Sequence, residues 1–413
     1  MRRSQGLRRT AIAVAVLGCG WLTIDIAPIG SVGYAQAQPT AIEAPAPKPA
    51  RRLDLKTRIA LYRKQLAEYN EARRAYEKRA APYWRSITAT RTKRRRKRAR
   101  GQKITLSDYV LAQPPLYTGP PKPIDPEAKP GKGRGFPIAA DFLMHAKTHF
   151  GFAPQAPASE IDYKRAYAKV AAAAGFAKQD IVKIYGFEAT GDGTYDVQAG
   201  LEYGRPDAQA ISTALGYNQL LTANSIGLAA KHGDKFLSAL RAKAQAASGM
   251  QKAELLRKIA VFSKMIQFTR SVRDDWYAHV RLGKTEKGQG VHALNLDIDI
   301  GPLLQTQKLL NSVAFAKHYG YDAVLPAAEL EMMNLTGDGN GIDMVLMPQA
   351  MREKVPTANF FQQRGYERNP VAIRNNTVAK LIAATDAKME AEARLPGGRA
   401  LAAAFDELGA RGE

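Results

Sequence analysis

Cysteine is almost absent from this chain of 413 residues, in which Cys19 is the only one. A single thiol excludes an internal disulfide framework and a thiolate metal site. Histidine is also scarce, and the pair His145 and His149 lacks the Glu of a zinc-protease helix. We therefore expect no metal and no other cofactor. No run of about 20 apolar residues follows the N-terminal segment, which argues against a transmembrane domain in the mature chain.

The N-terminal residues have the features of an export signal. MRRSQGLRR is basic, Thr10–Ile24 is apolar, and Ala35-Gln36-Ala37 places small residues before a cleavage point. These features predict a signal peptide over residues 1–37 and an exported protein in the periplasm or cell envelope. Val16–Cys19 also resembles a lipobox, which leaves open the alternative of a lipoprotein anchored through Cys19.

The positive charge is concentrated in the N-terminal quarter of the chain. Residues 1–103 contain 25 Lys and Arg against 6 Asp and Glu, so only +4 of the total formal charge of +23 belongs to the rest. Behind an export signal, the polyanions within reach of Arg91–Arg100 are anionic envelope polymers. We expect those polymers, and not nucleic acid, as partners of residues 51–103. A solvated basic linker is the alternative.

Two proline-rich stretches flank a predicted helical arm. Residues 38–52 and 104–139 are predicted to be linkers, because proline removes backbone donors and fixes φ. Residues 53–103 are predicted to form the basic helical arm, since apolar side chains recur in steps of three and four from Leu55 to Tyr69. Tyrosines recur every seven residues along it, and we expect this stripe to pack on protein, with stacking on sugars as the alternative.

The remaining sequence predicts one mainly α domain over residues 140–392, followed by a flexible tail over residues 393–413. Helical periodicity is clearest in the segments 163–174, 178–188, 255–266, 303–318, 323–333 and 374–392. Alternation of apolar residues between Tyr195 and Tyr203 predicts a small β-hairpin. The repeated Thr-Gly-Asp-Gly at 190–193 and 336–339 predicts two tight turns, with calcium binding as the alternative.

One predicted helix ends in an acid. Ile181, Ile184 and Tyr185 recur at helical spacing, and Glu188 falls one turn further along the same face. A carboxyl that lies against packed hydrocarbon has a raised pKa, which suits a general acid. Because Gly216–Gln219 then brings polar groups back, the sequence predicts one wall of a saccharide cleft. A salt-bridged carboxylate at a helix end is the alternative.

Three motifs, in this order, resemble those of the lysozyme-like superfamily, in particular the soluble-type lytic transglycosylases of peptidoglycan. Phe187–Gly191 resembles the motif that carries the catalytic Glu, with Ala189 where that family has Ser. Ala214–Gln219 resembles the second motif. Met332–Gly337 resembles the third, with Met333 in place of the usual Tyr.

This resemblance covers about residues 140–390 and implies a lysozyme-like fold that cleaves the bond between N-acetylmuramic acid and N-acetylglucosamine. In that family one Glu, here Glu188, protonates the glycosidic oxygen. It then takes the proton of the muramoyl 6-hydroxyl, which leaves a 1,6-anhydro end. The resemblance implies that Gln219 and Asn334 hold acetamido groups and that Tyr217 packs against a sugar face. It implies no metal.

Several alternatives to this lyase remain at the level of sequence. Asp192, Asp196 and Glu202 lie close to Glu188 in the chain, so a hydrolase with two carboxylates is one alternative. A non-catalytic peptidoglycan-binding protein and an envelope scaffold on the same fold are the others.

Overall fold

The computed structural model describes residues 54–127, 135–201 and 209–409. These residues are mainly helical, with only isolated β-bridges, so the predicted fold class of mainly α is confirmed. The α-helices are α1 Leu55–Ala99, α2 Ala139–Phe150, α3 Glu160–Ala173, α4 Lys178–Ala189, α5 Thr222–Ala246, α6 Gly249–Thr269, α7 Trp276–Gly283, α8 Glu286–His292, α9 Gly301–His318, α10 Ala327–Thr336, α11 Asp338–Val345, α12 Gln349–Arg352, α13 Gln363–Glu367, α14 Pro370–Arg374, α15 Val378–Ala393 and α16 Pro396–Gly409.

Some predictions fall on residues outside these ranges. The predicted signal peptide, the Cys19 lipobox and the linker 38–52 all lie there. None of the described helices combines the length and the apolar character that a membrane crossing requires.

The described residues form two compact units. The larger unit contains residues 83–114 together with 135–201 and 209–409, and the smaller unit contains residues 54–82 and 115–127. Helix α1 contributes to both, with Pro82 inside the helix at the division. The sequence predicts one arm over residues 53–103, whereas the second half of α1 belongs to the larger unit.

In the smaller unit, the tyrosine stripe of α1 packs against the proline-rich segment. Tyr69 and Tyr76 contact the ring of Tyr117 edge to face, with centroids 6.2 and 5.4 Å apart. The guanidinium of Arg73 lies over the Tyr117 ring, and the Tyr76 hydroxyl donates to the carbonyl oxygen of Pro115 at 3.2 Å. The segment predicted as a linker therefore packs against the helix at this point, and it covers part of the stripe.

In the larger unit, one hydrophobic core joins α2, α5, α6, α8 and α9. Its fully buried members include aromatic and aliphatic side chains from each of the longer helices, among them Phe142, Phe236, Phe262, Ile266 and Leu304. The apolar spacing that predicted helices at 255–266 and 303–318 is the spacing that fills this core.

Helix α4, also in the larger unit, packs against α3, α10, α15 and α16. Gly186 permits the close approach of α15, because a Cβ at this position would lie 2.9 Å from the backbone nitrogen of Ala393. Helix α16 buries Leu401, Ala404 and Phe405. The predicted flexible tail is therefore wrong over Pro396–Gly409, where apolar residues three and four apart form a packed stripe.

The basic run Arg91–Arg100 is helical almost throughout and belongs to the larger unit. Arg94 is fully buried, and its guanidinium donates to Asp343 Oδ2 and to the carbonyl oxygens of Asp108 and Asn359, each at 3.1 Å. Arg98 also pairs with Asp343. The alternative of a solvated linker is therefore wrong here, since part of this charge run holds the fold together.

A buried histidine gives the larger unit a stability that depends on pH. His292 Nε2 donates to the carbonyl oxygen of Thr213 at 2.8 Å, so Nδ1 is the acceptor that faces the Ser225 hydroxyl at 2.8 Å and the Asn295 amide at 3.2 Å. Burial lowers the pKa of His292 to about 4. A proton on Nδ1 would face the Asn295 amide donor, and the Ser225 hydroxyl would have to turn from donor to acceptor.

We expect the protein to lose about 3 kcal/mol of stability through His292 as the pH falls from about 6.5 to about 4, because the unfolded chain binds a proton that the folded chain excludes. Urea unfolding across this range measures the loss. In His292→Gln, this part of the decrease in the free energy of unfolding with falling pH should disappear. A variant with the slope of the wild type would show that His292 already carries its proton in the folded state.

Candidate functional site

A cleft of about 630 Å³ lies in the larger unit, bordered by the end of α4 and by α5, α7, α9 and α10. Three of the four residues that the sequence predicted as site residues, Glu188, Gln219 and Asn334, line this one cleft. They come from α4, from the loop before α5 and from α10. The chain folds so that residues 146 positions apart in sequence, Glu188 and Asn334, are in direct contact.

Glu188 occupies the position that helical spacing predicted for it. Ile181, Ile184 and Tyr185 are fully buried, and Glu188 is 5% exposed at the end of the same helix. The helix ends one residue later at Ala189, and the next residue, Thr190, has a left-handed conformation with φ of 56°. The carboxyl is therefore held on a rigid helix, with its exposed edge in the cleft.

The surroundings of Glu188 favour its protonated form. Its Oε1 accepts from Asn334 Nδ2 at 2.5 Å, and its side chain also contacts the carboxyl of Glu331. Burial raises the pKa of Glu188, and it raises the pKa of Glu331 well above the usual range, with the Glu188 carboxyl adding to that rise. The hydrogen bonds from Glu331 and Asn334, followed by the charges of Lys308 and Lys388, oppose this rise for Glu188 only in part. We infer that this pair of carboxyls retains one shared proton at neutral pH.

Glu331 is a residue that the sequence analysis missed. It lies on α10 one turn before Asn334, and it is almost completely buried. The signal in the sequence is the spacing Glu-x-x-Asn, which places both side chains on one face of a helix. The third motif begins at Met332, so the comparison of motifs does not include Glu331.

We expect Glu331→Gln to raise the free energy of unfolding at neutral pH. The folded pair keeps a proton above pH 4.5, the ordinary value for Glu, and the unfolded chain releases it, so the stability of the wild type falls as pH rises. The free energy of unfolding of the wild type falls by about 1.4 kcal/mol for each pH unit, until the folded pair loses its last proton. In the variant, an amide donates the hydrogen bond without taking up a proton, so this slope is lost.

Urea unfolding at about pH 5 and about pH 8 measures this difference, with the exposed Glu353→Gln as the control. If the free energy of unfolding changes by the same amount in the wild type and in Glu331→Gln between these two pH values, the two carboxyls do not share a proton.

Gln219 lines the cleft with one half of its amide already engaged. Its Nε2 donates to the carbonyl oxygens of Val197 and Gly216, at 3.0 and 2.8 Å. The backbone of Gln219 is left-handed, with φ of 43°. Because both amide hydrogens hold the loop, the group that Gln219 can offer to a ligand is its Oε1, an acceptor.

The prediction that Tyr217 packs against a sugar face is wrong. Tyr217 is fully buried, where its hydroxyl accepts from Lys164 Nζ at 3.0 Å and donates to Glu160. Its ring packs among Tyr163, Tyr167 and Tyr185. The Gly-Tyr-Asn-Gln segment therefore turns its tyrosine into the core and only its Gln towards the cleft.

The aromatic side chain at the cleft is Trp276, which the sequence analysis did not single out. It lines the cleft at the start of α7 and is 48% exposed. Asp275 caps this helix, since its Oδ1 accepts from the backbone nitrogen of Ala278 at 2.9 Å. Exposure of so large an apolar surface inside a cleft is typical of a ligand-binding wall.

Of the other acids near Glu188 in sequence, the two that the structure describes do not line the cleft. Asp192 accepts from the backbone nitrogen of Gly397 at 3.0 Å, and Asp196 accepts from Thr194 at 2.6 Å. Glu202 lies outside the described residues. The carboxyl that lies beside Glu188 in space is Glu331, from a helix more than 140 residues later in the chain.

The two Thr-Gly-Asp-Gly copies differ in structure. The first is a turn after α4, and in the second Gly337, with φ of 80°, separates the end of α10 from the start of α11. Asp338 accepts from Ser312 at 2.7 Å, and Asp343 pairs with Arg94 and Arg98. Both carboxylates therefore have protein partners.

The predicted hairpin stays a prediction. Within the described residues, Gln198 forms an isolated antiparallel bridge with Leu215, and no strand extends it. Residues 202–208, the second half of the predicted hairpin, lie outside the described ranges.

Comparison with known proteins finds no matching protein-family model, and no curated protein or solved structure matches the chain. The functional argument therefore depends on the geometry of the cleft and on the motif order in the sequence.

Proposed function

We propose that this protein is a peptidoglycan lytic transglycosylase on a lysozyme-like fold, with Glu188 as its single acid and base. The observation that carries the proposal is the meeting of Glu188, Gln219 and Asn334 in one cleft, in the motif order of that family. A buried carboxyl with a raised pKa, on a rigid helix and beside an open cleft, has the properties of a general acid.

The proposed reaction consumes no water. Glu188 donates its proton to the oxygen that links C1 of N-acetylmuramic acid to N-acetylglucosamine, and the C1–O bond breaks. The muramoyl 6-hydroxyl then bonds to C1 through its oxygen, while its proton passes to Glu188. One glycosidic bond is replaced by a 1,6-anhydro bond, and the carboxyl returns to its starting state. Hydrogen bonding from Asn334 fixes the orientation of the carboxyl for both steps.

The position of Glu331 supports a mechanism with one acid. The two carboxyls of a glycosidase that uses water or a covalent intermediate stand about 5 to 9.5 Å apart, on opposite sides of the scissile bond. Glu331 is only 1% exposed and does not line the cleft, so it cannot stand across a bound sugar from Glu188. Glu331 is instead a positioning residue, because its hydrogen bond fixes the orientation of the Glu188 carboxyl, while burial is what raises the pKa of Glu188.

Two further residues suit a chain of acetylated sugars. Gln219 Oε1 is the free half of its amide and would accept from the N–H of an acetamido group. The exposed ring of Trp276 would pack against a sugar face, in the role that the sequence gave to Tyr217.

The proposal extends to location and partners. A lytic transglycosylase acts on glycan strands outside the cytoplasmic membrane, which agrees with the export signal read from residues 1–37. Contacts with anionic envelope polymers would come from the basic residues of 51–103 that remain exposed, such as Arg95 and Arg96, and not from the buried Arg94.

A second candidate, glycan binding without cleavage, is favoured by one observation. Asn334 already donates to Glu188, so the carboxyl has a protein partner before any ligand arrives. In that case the cleft would hold a glycan strand, and the carboxyl pair would serve only to position Asn334.

Digestion of purified sacculi separates these functions. The wild type is expected to release muropeptides with 1,6-anhydro ends, identified by mass spectrometry, with Glu188→Gln as the control for a contaminating enzyme. Reducing ends would indicate hydrolysis. Cosedimentation with sacculi without any product would indicate glycan binding alone, and neither binding nor products would overturn both candidates.

A further inference from the structure

We propose that His145, His149 and Glu286 form a binding site for a divalent transition-metal ion such as Zn²⁺. The nearest ligand atoms of these three side chains all lie within 4.8 Å of one another. Two imidazoles and one carboxylate are a ligand set that suits zinc, and a fourth position would remain for water.

Two helices supply the three ligands. His145 and His149 are four residues apart on α2, so their side chains lie on one face, and their rings stack with centroids 6.1 Å apart. Glu286 is the first residue of α8. Sequence analysis set the histidine pair aside because no Glu lies between them, but the third ligand comes from a helix 137 residues after His149.

The spacing of the atoms fits a small tetrahedral ion. Bonds of about 2.0 to 2.1 Å place neighbouring ligand atoms of tetrahedral zinc about 3.3 Å apart. His149 Nε2 and Glu286 Oε2 are already 3.4 Å apart. The largest separation in the group, at most 4.8 Å, closes to this value through a side-chain movement of about 1.5 Å, without backbone displacement.

The backbone beneath the site is held in place. A Cβ at Gly290 would lie 2.9 Å from the carbonyl carbon of His145, so α8 and α2 are in backbone contact next to the ligands. Phe142 and His292 pack edge to face between the same two helices, with centroids 4.6 Å apart. Ligands on two closely packed helices lose little conformational freedom when they bind an ion.

The lysine that follows Glu286 in the chain does not neutralise the Glu286 carboxylate. Lys287 follows Glu286 in the chain, but its ammonium lies over the ring of Phe268, 4.8 Å from the centroid, and over Phe150. The partner of Glu286 is His149, which becomes a metal ligand in its neutral form.

Titration of the full chain with Zn²⁺ tests this proposal. The protein is prepared without a polyhistidine tag and in a Cys19→Ser background, so that no other strong ligand competes, and binding is measured by calorimetry and by competition with a chromophoric chelator. We expect one equivalent of Zn²⁺ per chain. Loss of a ligand in His145→Ala, His149→Ala or Glu286→Gln should weaken binding by more than the roughly 10- to 100-fold that loss of an outer-shell partner costs.

His318→Ala is the matched control, because it removes an exposed imidazole elsewhere in the larger unit. Circular dichroism of each variant shows that the helices are retained. Absence of Zn²⁺ binding by the wild type, or equal affinity in the wild type and the three ligand variants, would overturn the site. Because the readout is metal binding, its failure leaves the proposed glycan chemistry untouched.

Discussion

Replacement of Glu188 by Gln is expected to lower the rate at which anhydro-muropeptides are released from sacculi by about 100- to 10,000-fold. An amide cannot donate a proton to the glycosidic oxygen or take one from the muramoyl 6-hydroxyl. It keeps the size of the carboxyl and can still bond to Asn334, which contacts Glu188 at 2.5 Å. Binding to sacculi should therefore remain while turnover is lost, and rates from chromatographically separated products measure the difference.

Glu392→Gln is the control for this experiment. Glu392 is a partly buried carboxyl on the helix packed against α4, and burial raises its pKa to about 7. It pairs with Lys388 and does not line the cleft. Activity in this variant should stay within a few fold of the wild type. If Glu188→Gln retains the rate of Glu392→Gln, Glu188 is not the acid, whatever products the protein releases.

Replacement of Arg94 by Met is expected to destabilise the larger unit by about 3–5 kcal/mol. Arg94 is buried, and its guanidinium is the donor to Asp343 and to the carbonyl oxygens of Asp108 and Asn359. Methionine fills part of the space but supplies no donor, so these acceptors remain buried without it. Urea unfolding followed by tryptophan fluorescence reports the change, since Trp84 lies in the same unit.

Arg95→Met is the matched control, because Arg95 is the next residue of the same helix and is exposed. Its substitution should change the free energy of unfolding by less than about 0.5 kcal/mol. Conversely, Arg95→Met should weaken binding to anionic polymers, because it removes an exposed charge. Folded Arg94→Met protein keeps the exposed charges and should bind these polymers as the wild type does. Equal stability of both variants would show that the charge run does not hold the larger unit together.

Much of the helical architecture could be predicted from the sequence because it depends on local spacing. Helices α4, α6 and α9 bury side chains three and four residues apart, and this periodicity is visible without any knowledge of their neighbours. The predictions failed where composition was used in place of periodicity. The Ala- and Gly-rich composition of α16 predicts a flexible tail, and the charge of the run around Arg94 predicts a segment outside the folded domain, but both segments pack in the larger unit.

The candidate site was predictable only in part, for a related reason. The position of Glu188 at the end of an apolar stripe follows from helix geometry, but its partner Glu331 is set by the way α10 packs on α4. A short aromatic motif also does not say which way each side chain points. Tyr217 enters the core because Lys164 and Glu160 satisfy its hydroxyl there, and these residues lie more than 50 positions earlier in the chain.

Backbone conformation at the cleft carries one more consequence. Of the non-glycine residues that the structure describes, two have positive φ, namely Thr190 and Gln219, and both adjoin the proposed acid or line the cleft beside it. A side chain in this conformation costs about 1 kcal/mol relative to glycine. Protein engineers who optimise this chain for thermal stability would select glycine at both positions. At position 219 that choice would remove the amide that shapes the site, so selection for activity and selection for heat resistance would favour different sequences.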